Sequence, residues 1–185
     1  MGDDETFRQQ LVDIAPHLRA FARSLCGDRD LADDLAQDAL MKAIAAASGF
    51  QPGTNFRAWM FTILRNLYYS EYRKRRRRQP SEDENALEKL STPAPQHARL
   101  EIHDVRVALD QLRSEYREAL ILVGASGFSY EEAADIVGCA VGTVKSRVSR
   151  ARAELERLLD APASERANGP APRRSRAKSA RAVGG

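Results

Sequence analysis

Apolar residues recur every three or four positions along most of the chain, a spacing that predicts amphipathic helices. In the first half, three helices are expected, over Thr6–Leu25, from Asp28 or Asp30 to about Ser48, and from Phe56 to about Arg78. Pro16 is able to kink the first of them, and Gly27 ends it. A glycine- and proline-rich loop, "SGFQPGTN", precedes the third helix. This half of the chain therefore predicts a three-helix block.

The second half predicts a helix-turn-helix. Ser129 followed by Glu132 forms a capping-box pattern, so a short helix is expected to start near Tyr130. Gly138 is able to adopt the left-handed conformation that ends a helix, and a second amphipathic helix follows it. With two helices upstream, residues 100–160 predict a four-helix block whose last helix is the reader of a DNA major groove.

The last helix has a clear inward side, because Val144, Val148, Ala151 and Leu155 repeat at helical spacing. Short hydrogen-bonding groups and one arginine are expected opposite that stripe, with longer cations at its edges: Thr143, Ser146 and Arg150, then Lys145, Arg147 and Arg152. Short side chains suit base edges and cations suit phosphates. A solvated basic face on an ordinary surface helix would give the same stripe, and the helix-turn-helix pattern favours DNA binding.

Two segments lack helical periodicity. Residues 79–99 are polar and rich in proline and acids, which predicts a flexible linker between two small helical domains, 1–78 and 100–160. Residues 161–185 consist mainly of alanine, arginine, proline and glycine, which predicts a disordered basic tail. That tail is interpreted either as a weak nonspecific nucleic-acid contact or as a solubilising segment.

The third helix also has a basic outer face. Its inward side is expected to hold Phe56, Met60, Ile63, Leu64 and Leu67, and its outward side Arg65, Tyr69, Tyr72, Arg73 and Arg76. Rings interleaved with guanidinium groups suit unpaired DNA, since rings stack on bases and cations hold phosphates. The alternative is a basic helix end with partly buried tyrosines.

The second helix carries the opposite charge. Its outward residues are mostly acidic or polar: Asp30, Asp34, Gln37, Asp38 and Met41. Acids in the first turns also favour the helix dipole, so a plain solvated face is the alternative interpretation. A face that repels DNA beside one that attracts it suggests an adaptor between DNA and another protein.

Composition narrows the function. The chain has 185 residues, 43% hydrophobic content and a net charge of +3, which supports packed domains rather than general disorder. Cys26 and Cys139 lack metal-ligand spacing, and neither a signal peptide nor a membrane-spanning run is evident. We therefore expect a reduced, cytoplasmic protein with no cofactor and no metal. No nucleophile with a base and no phosphate loop points to catalysis, so an enzyme is not expected.

At this point the residues resemble a known family. The segments "DLADDLAQDALMKA", "FRAWMFTILRNLYYSEYRKRRR" and "FSYEEAADIVGCAVGTVKSRVSRAR" occur in the order typical of an extracytoplasmic-function (group four) RNA polymerase sigma factor, and are most similar to the EcfG general stress response subgroup of alphaproteobacteria. The resemblance implies that the first block is region two, which binds the β′ clamp helices of core polymerase and melts the −10 element. It implies that the second block is region four, which reads the −35 element and contacts the β flap.

The resemblance also implies roles for particular residues. It implies polymerase binding by Asp34, Gln37, Asp38 and Met41. It implies −10 contacts from Gly53, Thr54, Asn55, Arg65, Tyr69, Arg73 and Arg76, and −35 contacts from Thr143, Lys145, Ser146, Arg147, Arg150 and Arg152. Members of this subgroup are inhibited by a NepR-type anti-sigma factor and released by a PhyR-type regulator, so both are implied partners, whereas a membrane is not.

Other functions share parts of this pattern. A free-standing repressor or activator would need the helix-turn-helix but not the acidic helix or the tyrosine–arginine face. A decoy that mimics a sigma factor would share the fold without needing Arg147, Arg150 or Tyr69. A nucleic-acid-modifying enzyme would require an active site that the sequence does not display.

Overall fold

The architecture is all-helical in a computed structural model that describes residues 2–47, 50, 53–78 and 98–160. Across these ranges the chain forms seven α-helices, one π-helical turn and no strand, which confirms the predicted all-α class. The predicted linker lies outside the described residues except for its last two positions, and the predicted tail lies wholly outside them.

Three helices form the first block: α1 (Gly2–Cys26), α2 (Arg29–Ala45) and α3 (Phe56–Arg78). α1 continues through Pro16, and α2 ends at Ala45 rather than near Ser48. Side chains from all three helices make the core, including Leu18, Phe21, Ala32, Ala36, Ala39, Met60, Phe61 and Leu64. The alanines of α2 let it lie close to its neighbours.

The turn between α1 and α2 is built by two residues that the sequence singled out. Gly27 has a φ of 70°, a left-handed conformation that glycine adopts without a steric penalty. Asp28 follows as the N-cap of α2, and its carboxylate accepts a 2.7 Å hydrogen bond from the backbone N–H of Leu31. The sequence left open whether Asp28 or Asp30 caps α2, and in the structure the N-cap is Asp28.

The second block contains α4 (Ala98–Gln111), α5 (Ser114–Leu120), α6 (Tyr130–Val137) and α7 (Val141–Asp160). A π-helical turn, Ile121–Ala125, extends α5. Beyond the π turn the chain reverses, where the N–H of Phe128 donates to the carbonyl of Leu122 at 3.0 Å. The four predicted helices are confirmed, and the π turn was not predicted.

The two blocks share one hydrophobic core. Phe61 of α3 stacks on Phe21 of α1 and meets Phe128 of the second block edge-on, with both ring centroid distances at 4.8 Å. Ile121, Leu122 and Ala133 lie in the same buried cluster. The sequence predicted two small domains and left open whether they pack together; in the structure they do.

None of the helices in the described ranges is long and apolar enough to cross a membrane.

Candidate nucleic-acid and polymerase interfaces

The reader helix, α7, turns its apolar stripe inward as its spacing predicts. Val144, Val148 and Ala151 are at most 1% exposed, while Leu155, also predicted inward, is half-buried. Most of the predicted DNA-facing side chains are exposed: Lys145, Ser146, Arg150 and Arg152. The other two, Thr143 and Arg147, are half-buried. The polar face is therefore available to a ligand.

Neighbouring residues position the side chains of this face. The guanidinium of Arg150 donates to the hydroxyl of Tyr116 at 3.3 Å, and the ammonium of Lys145 lies 5.6 Å from the ring centroid of Tyr130. The hydroxyl of Ser146 donates to the carbonyl of Thr143 at 2.9 Å. Tyr116 and Tyr130 had no predicted role at this site. They limit how far the two cations swing from the helix.

The helix-turn-helix is held by the predicted caps. The hydroxyl of Ser129 accepts from the N–H of Glu132 at 3.0 Å, and the carboxylate of Glu132 accepts from the N–H of Ser129 at 2.8 Å. Gly138 ends α6 with a φ of 73°. Both halves of the capping box are thus present, and they orient α6 against the reader helix.

The acidic face, defined as Asp34, Gln37, Asp38 and Met41, is exposed along α2. Met41 is 60% exposed, and Ile44 one turn further along is 54% exposed. Together they form a small apolar patch with a polar rim, a pattern found at protein contacts. The sequence did not identify Ile44, although its spacing from Met41 would have allowed it.

The loop before α3 has a structural role in this conformation. Gly53 takes a φ of 89°, and Gly53, Thr54 and Asn55 are all exposed. The Asn55 side chain accepts from the N–H of Ala58 at 3.0 Å, which caps α3. The Asn55 amide also donates to the carboxylate of Glu132 in the second block. Asn55 is therefore engaged within the chain.

Arg65 and Tyr69 are half-buried rather than freely exposed, because the second block covers them. Arg65 forms a 2.7 Å ion pair with Glu118 of α5, and Tyr69 donates to the same carboxylate at 3.2 Å. The Arg65 guanidinium lies 4.6 Å from the Tyr69 ring centroid. Burial, and then the charge of Glu118, raise the pKa of Tyr69 well above its ordinary value.

The rest of that face is mixed. Arg73 is exposed, Tyr72 is half-buried beside Tyr68, and the side chain of Arg76 lies outside the described residues. Tyr68 was not predicted to be buried. Its hydroxyl donates to the carbonyl of Leu25 at 3.1 Å, and burial raises its pKa to about 12. We call Arg65, Tyr69 and Arg73, which the resemblance predicts to contact the −10 element, the melting face.

Several residues that organise these surfaces had no predicted role, and they come mainly from "SEYREALILVGASGF". Arg117 and Glu118 are 5% and 1% exposed. Charged residues are almost never buried without partners, so a charged pair beside an apolar run was a usable signal. Arg117 pairs with Asp110 of α4 at 3.3 Å, whereas the partners of Glu118 are in the first block and could not be identified from the local pattern.

These features define a class of protein: a two-block helical DNA-binding protein with a helix-turn-helix reader and a separate acidic face. The profile of Sigma-70 region 2 matches residues 12–78, and that of Sigma-70 region 4 matches residues 102–155. The chain belongs to the sigma-70 family. It is a sigma factor of the extracytoplasmic-function type, the subunit that directs RNA polymerase to initiate at promoters.

Relatives and solved structures agree with this assignment. The chain is 55% identical over 155 residues to the ECF RNA polymerase sigma factor EcfG of Rhodopseudomonas palustris, covering 84% of this chain and 86% of that protein. It is 51% identical to the sigma factor RpoE of Bartonella quintana, solved in complex with the anti-sigma factor NepR, with a TM-score of 0.75 and coverage of 84% and 97%.

A third similarity concerns the fold alone. The PhyRSL-NepR complex of Sphingomonas sp. Fr1 contains a chain with a TM-score of 0.64 and 24% identity to this one, over 91% of this chain and 95% of that chain. Because the fold is shared at this low identity, the fold by itself does not separate a sigma factor from other proteins of this shape.

Proposed function

We propose that the acidic face binds core polymerase, that the exposed face of α7 reads the −35 element, and that the melting face and the loop at Asn55 capture the −10 strand. The observation that carries the proposal is the presence of two exposed faces of opposite character on separate blocks, on α2 and α7. One polypeptide thereby presents a surface that repels DNA and another that attracts it.

The α7 face suits a major groove. Ser146 and Arg150 are exposed opposite the buried stripe, and Lys145 and Arg152 flank them. An arginine in this position is able to donate two hydrogen bonds to guanine, while flanking cations reach the phosphates. We assign base recognition to Arg150 and phosphate contacts to Lys145.

The melting face suits unpaired bases. Stacking of a base on an aromatic side chain contributes about 1 to 3 kcal/mol, and Tyr69 supplies such a ring with Arg65 and Arg73 beside it. The sigma subunit supplies binding energy and positioning only, and the polymerase carries out nucleotide addition. We therefore infer a protein without catalytic residues of its own.

Regulation follows from the relatives. The similarity to EcfG and to RpoE bound to NepR supports a general stress response role and inhibition by a NepR-type anti-sigma factor. Release by a PhyR-type regulator is inferred from the resemblance to the EcfG subgroup. The β′ clamp helices and β flap are the inferred polymerase contacts. Because polymerase and promoter DNA are its partners, we infer that the protein acts in the cytoplasm.

The test is start-site-specific transcription by bacterial core polymerase from a stress-type promoter. Reactions contain the wild-type protein, an Asp34→Lys/Asp38→Lys variant, or no sigma factor. We expect initiation with the wild type but not with the Asp34→Lys/Asp38→Lys variant or without a sigma factor, because reversing two charges on the acidic face removes the polymerase contact. A Glu5→Lys/Asp13→Lys variant changes the charge equally on exposed positions of α1 and should remain active.

Two results would contradict the proposal. Equal loss in both double variants would mean that net charge, not the acidic face, determines activity. Failure of the wild type to initiate, together with tight binding to a NepR-type protein, would assign the chain as a decoy.

A further inference from the structure

Glu118 is the most deeply buried charged side chain among the described residues, at 1% exposure. It lies on α5 of the second block, but its partners belong to α3 of the first block. One carboxylate oxygen accepts from Arg65 at 2.7 Å, and the other accepts from Tyr69 at 3.2 Å and from Arg65 at 3.4 Å. A buried carboxylate needs such partners. If Glu118 lost them without gaining contact with water, its negative charge would be uncompensated.

The partners of Glu118 are two of the three residues of the melting face. We propose that Glu118 is an intramolecular latch that occupies Arg65 and Tyr69 in the free chain, so that the −10 strand binds only after the second block moves away from α3. This inference rests on the proposed role of the melting face. A carboxylate suits the purpose because it offers the guanidinium the same kind of anionic oxygens as a phosphate.

A second acid contacts the first block at another proposed −10 element. Glu132, on α6, accepts from the side chain of Asn55. Two acids of region four therefore engage the loop and the helix that region two is proposed to present to unpaired DNA. A single ion pair between domains would be ordinary packing, whereas two acids that both occupy proposed DNA contacts indicate competition with DNA.

Other contacts hold the second block in register with Glu118. The adjacent Arg117 donates to the carbonyl of Leu25, at the end of α1, at 3.1 Å. Arg57 of α3 donates to the carbonyl of Ser126 and lies 4.5 Å from the Phe128 ring centroid. Closure thus has an apolar part and a charged part, and DNA is able to compete directly with the charged part.

The latch is reversible for an electrostatic reason. Removing a carboxylate and a guanidinium from water offsets much of their attraction, so the closed pair is only modestly favoured over hydrated, separated charges. While Glu118 holds Arg65 and Tyr69, DNA cannot bind them, so the apparent affinity for DNA equals the intrinsic affinity multiplied by the fraction of chains that are open. Glutamine at position 118 keeps the volume of the side chain but removes its charge, and its amide N–H2 replaces one of the two accepting oxygens with a donor.

The experiment uses the full chain and a fluorescein-labelled single strand that carries the −10 non-template sequence of the promoter used for transcription. Its affinity is measured by anisotropy for the wild type, Glu118→Gln and Glu156→Gln, the last an exposed control on α7 with the same charge change. If one chain in ten is open in the wild type, full opening tightens binding about tenfold. Because the apolar contact between Phe61 and Phe128 remains, we expect a gain up to this limit in Glu118→Gln and none in the control.

Small-angle scattering of the same samples reports the separation of the blocks without DNA. A larger radius of gyration together with tighter binding in Glu118→Gln supports the latch. Unchanged size and affinity would overturn it. Circular dichroism checks folding, and Glu132→Gln, which retains the capping box because glutamine serves at that position, provides a second variant with a smaller expected gain.

Arg65→Ala in the Glu118→Gln background separates the two proposals. If the open variant binds the strand and Arg65→Ala weakens that binding, both stand. If the chain opens but Arg65→Ala has no effect on strand binding, the melting-face assignment fails, and the latch fails as a competitor of DNA. If the chain stays closed while Arg65→Ala still weakens binding, only the latch fails.

Discussion

α3 and α7 have similar patterns in sequence and different surroundings in the structure. Each carries an apolar stripe on one side and arginines on the other. The polar face of α7 is exposed at Ser146 and Arg150, whereas Arg65 and Tyr69 of α3 are held by Glu118. A basic amphipathic helix therefore does not reveal by itself whether its polar face is free.

The difference depends on what lies opposite each helix. The polar face of α3 includes a ring and a guanidinium that pack on each other, and α5 supplies a buried acid at the matching position. The α7 face is contacted by tyrosines, which restrain the cations while leaving their charge uncompensated. One face is thus closed by charge neutralisation, and the other remains electropositive.

The largest expected effect comes from removing the apolar part of the α3 contact. Phe128→Ala deletes a ring that is 3% exposed and packs on Phe61, a change that typically costs about 3 to 5 kcal/mol. We expect calorimetric unfolding to split from one transition into two, since the blocks lose their shared core. Phe7→Ala is the control, because Phe7 contacts Phe50 and Phe56 within the first block. Two transitions in that control would contradict the reasoning.

The open face is tested by Arg150→Ala. Loss of a bidentate base contact should weaken the binding free energy of the holoenzyme for the promoter by about 1 to 3 kcal/mol and should relax the base preference at one −35 position. Lys145→Ala should weaken all promoters similarly and lower the salt slope by about 1. Binding is measured over a panel of −35 variants at several salt concentrations. A uniform loss for Arg150→Ala would make it a phosphate contact.

A smaller effect is expected from the cap that orients the open face. Ser129→Ala removes the side-chain half of the capping box and should lower the free energy of unfolding by about 1 kcal/mol. Ser129→Thr keeps the hydroxyl and should be close to wild type. Urea denaturation compares the three proteins, and equal stability of the alanine and threonine variants would exclude a capping contribution.

The smallest effect concerns the two free thiols, Cys26 at the end of α1 and Cys139 between α6 and α7. Burial raises the pKa of Cys26, at the end of α1 where Arg117 docks, so its thiolate forms only above the ordinary range. We expect iodoacetamide to modify Cys139 first from about pH 7 to about pH 9, because the thiolate is the reactive form and Cys139 is half-buried rather than buried. Mass spectrometry of peptides identifies the site, and early modification of Cys26 would indicate an open α1–α5 contact.

The raised pKa of Cys26 also sets a direction for stability. A neutral thiol is favoured in the folded chain, so this contribution is complete below the ordinary thiol pKa and is lost as pH rises through the higher folded value. Cys26→Ala should remove that alkaline decline, which denaturation at increasing pH would measure.

The sequence by itself determined the local features of this protein. Helix periodicity identified the buried stripe of α7, and cap chemistry located Ser129 and Gly138 and narrowed the cap of α2 to Asp28 or Asp30, because each signal lies within a few residues. Family resemblance assigned both regions for a similar reason, since the characteristic segments are continuous in sequence. The exposed acidic face of α2 was likewise predicted from spacing alone.

Only the tertiary structure decided which polar faces are covered. Glu118 and Arg65 are separated by 53 positions and by a linker, and nothing in either helix encodes their meeting. The periodicity of α3 correctly predicted that Met60 and Leu64 face inward, but it could not show that α5 contacts the opposite side of the helix. Helical faces follow from local geometry, whereas contact between two blocks depends on the shape and charge of both surfaces at once.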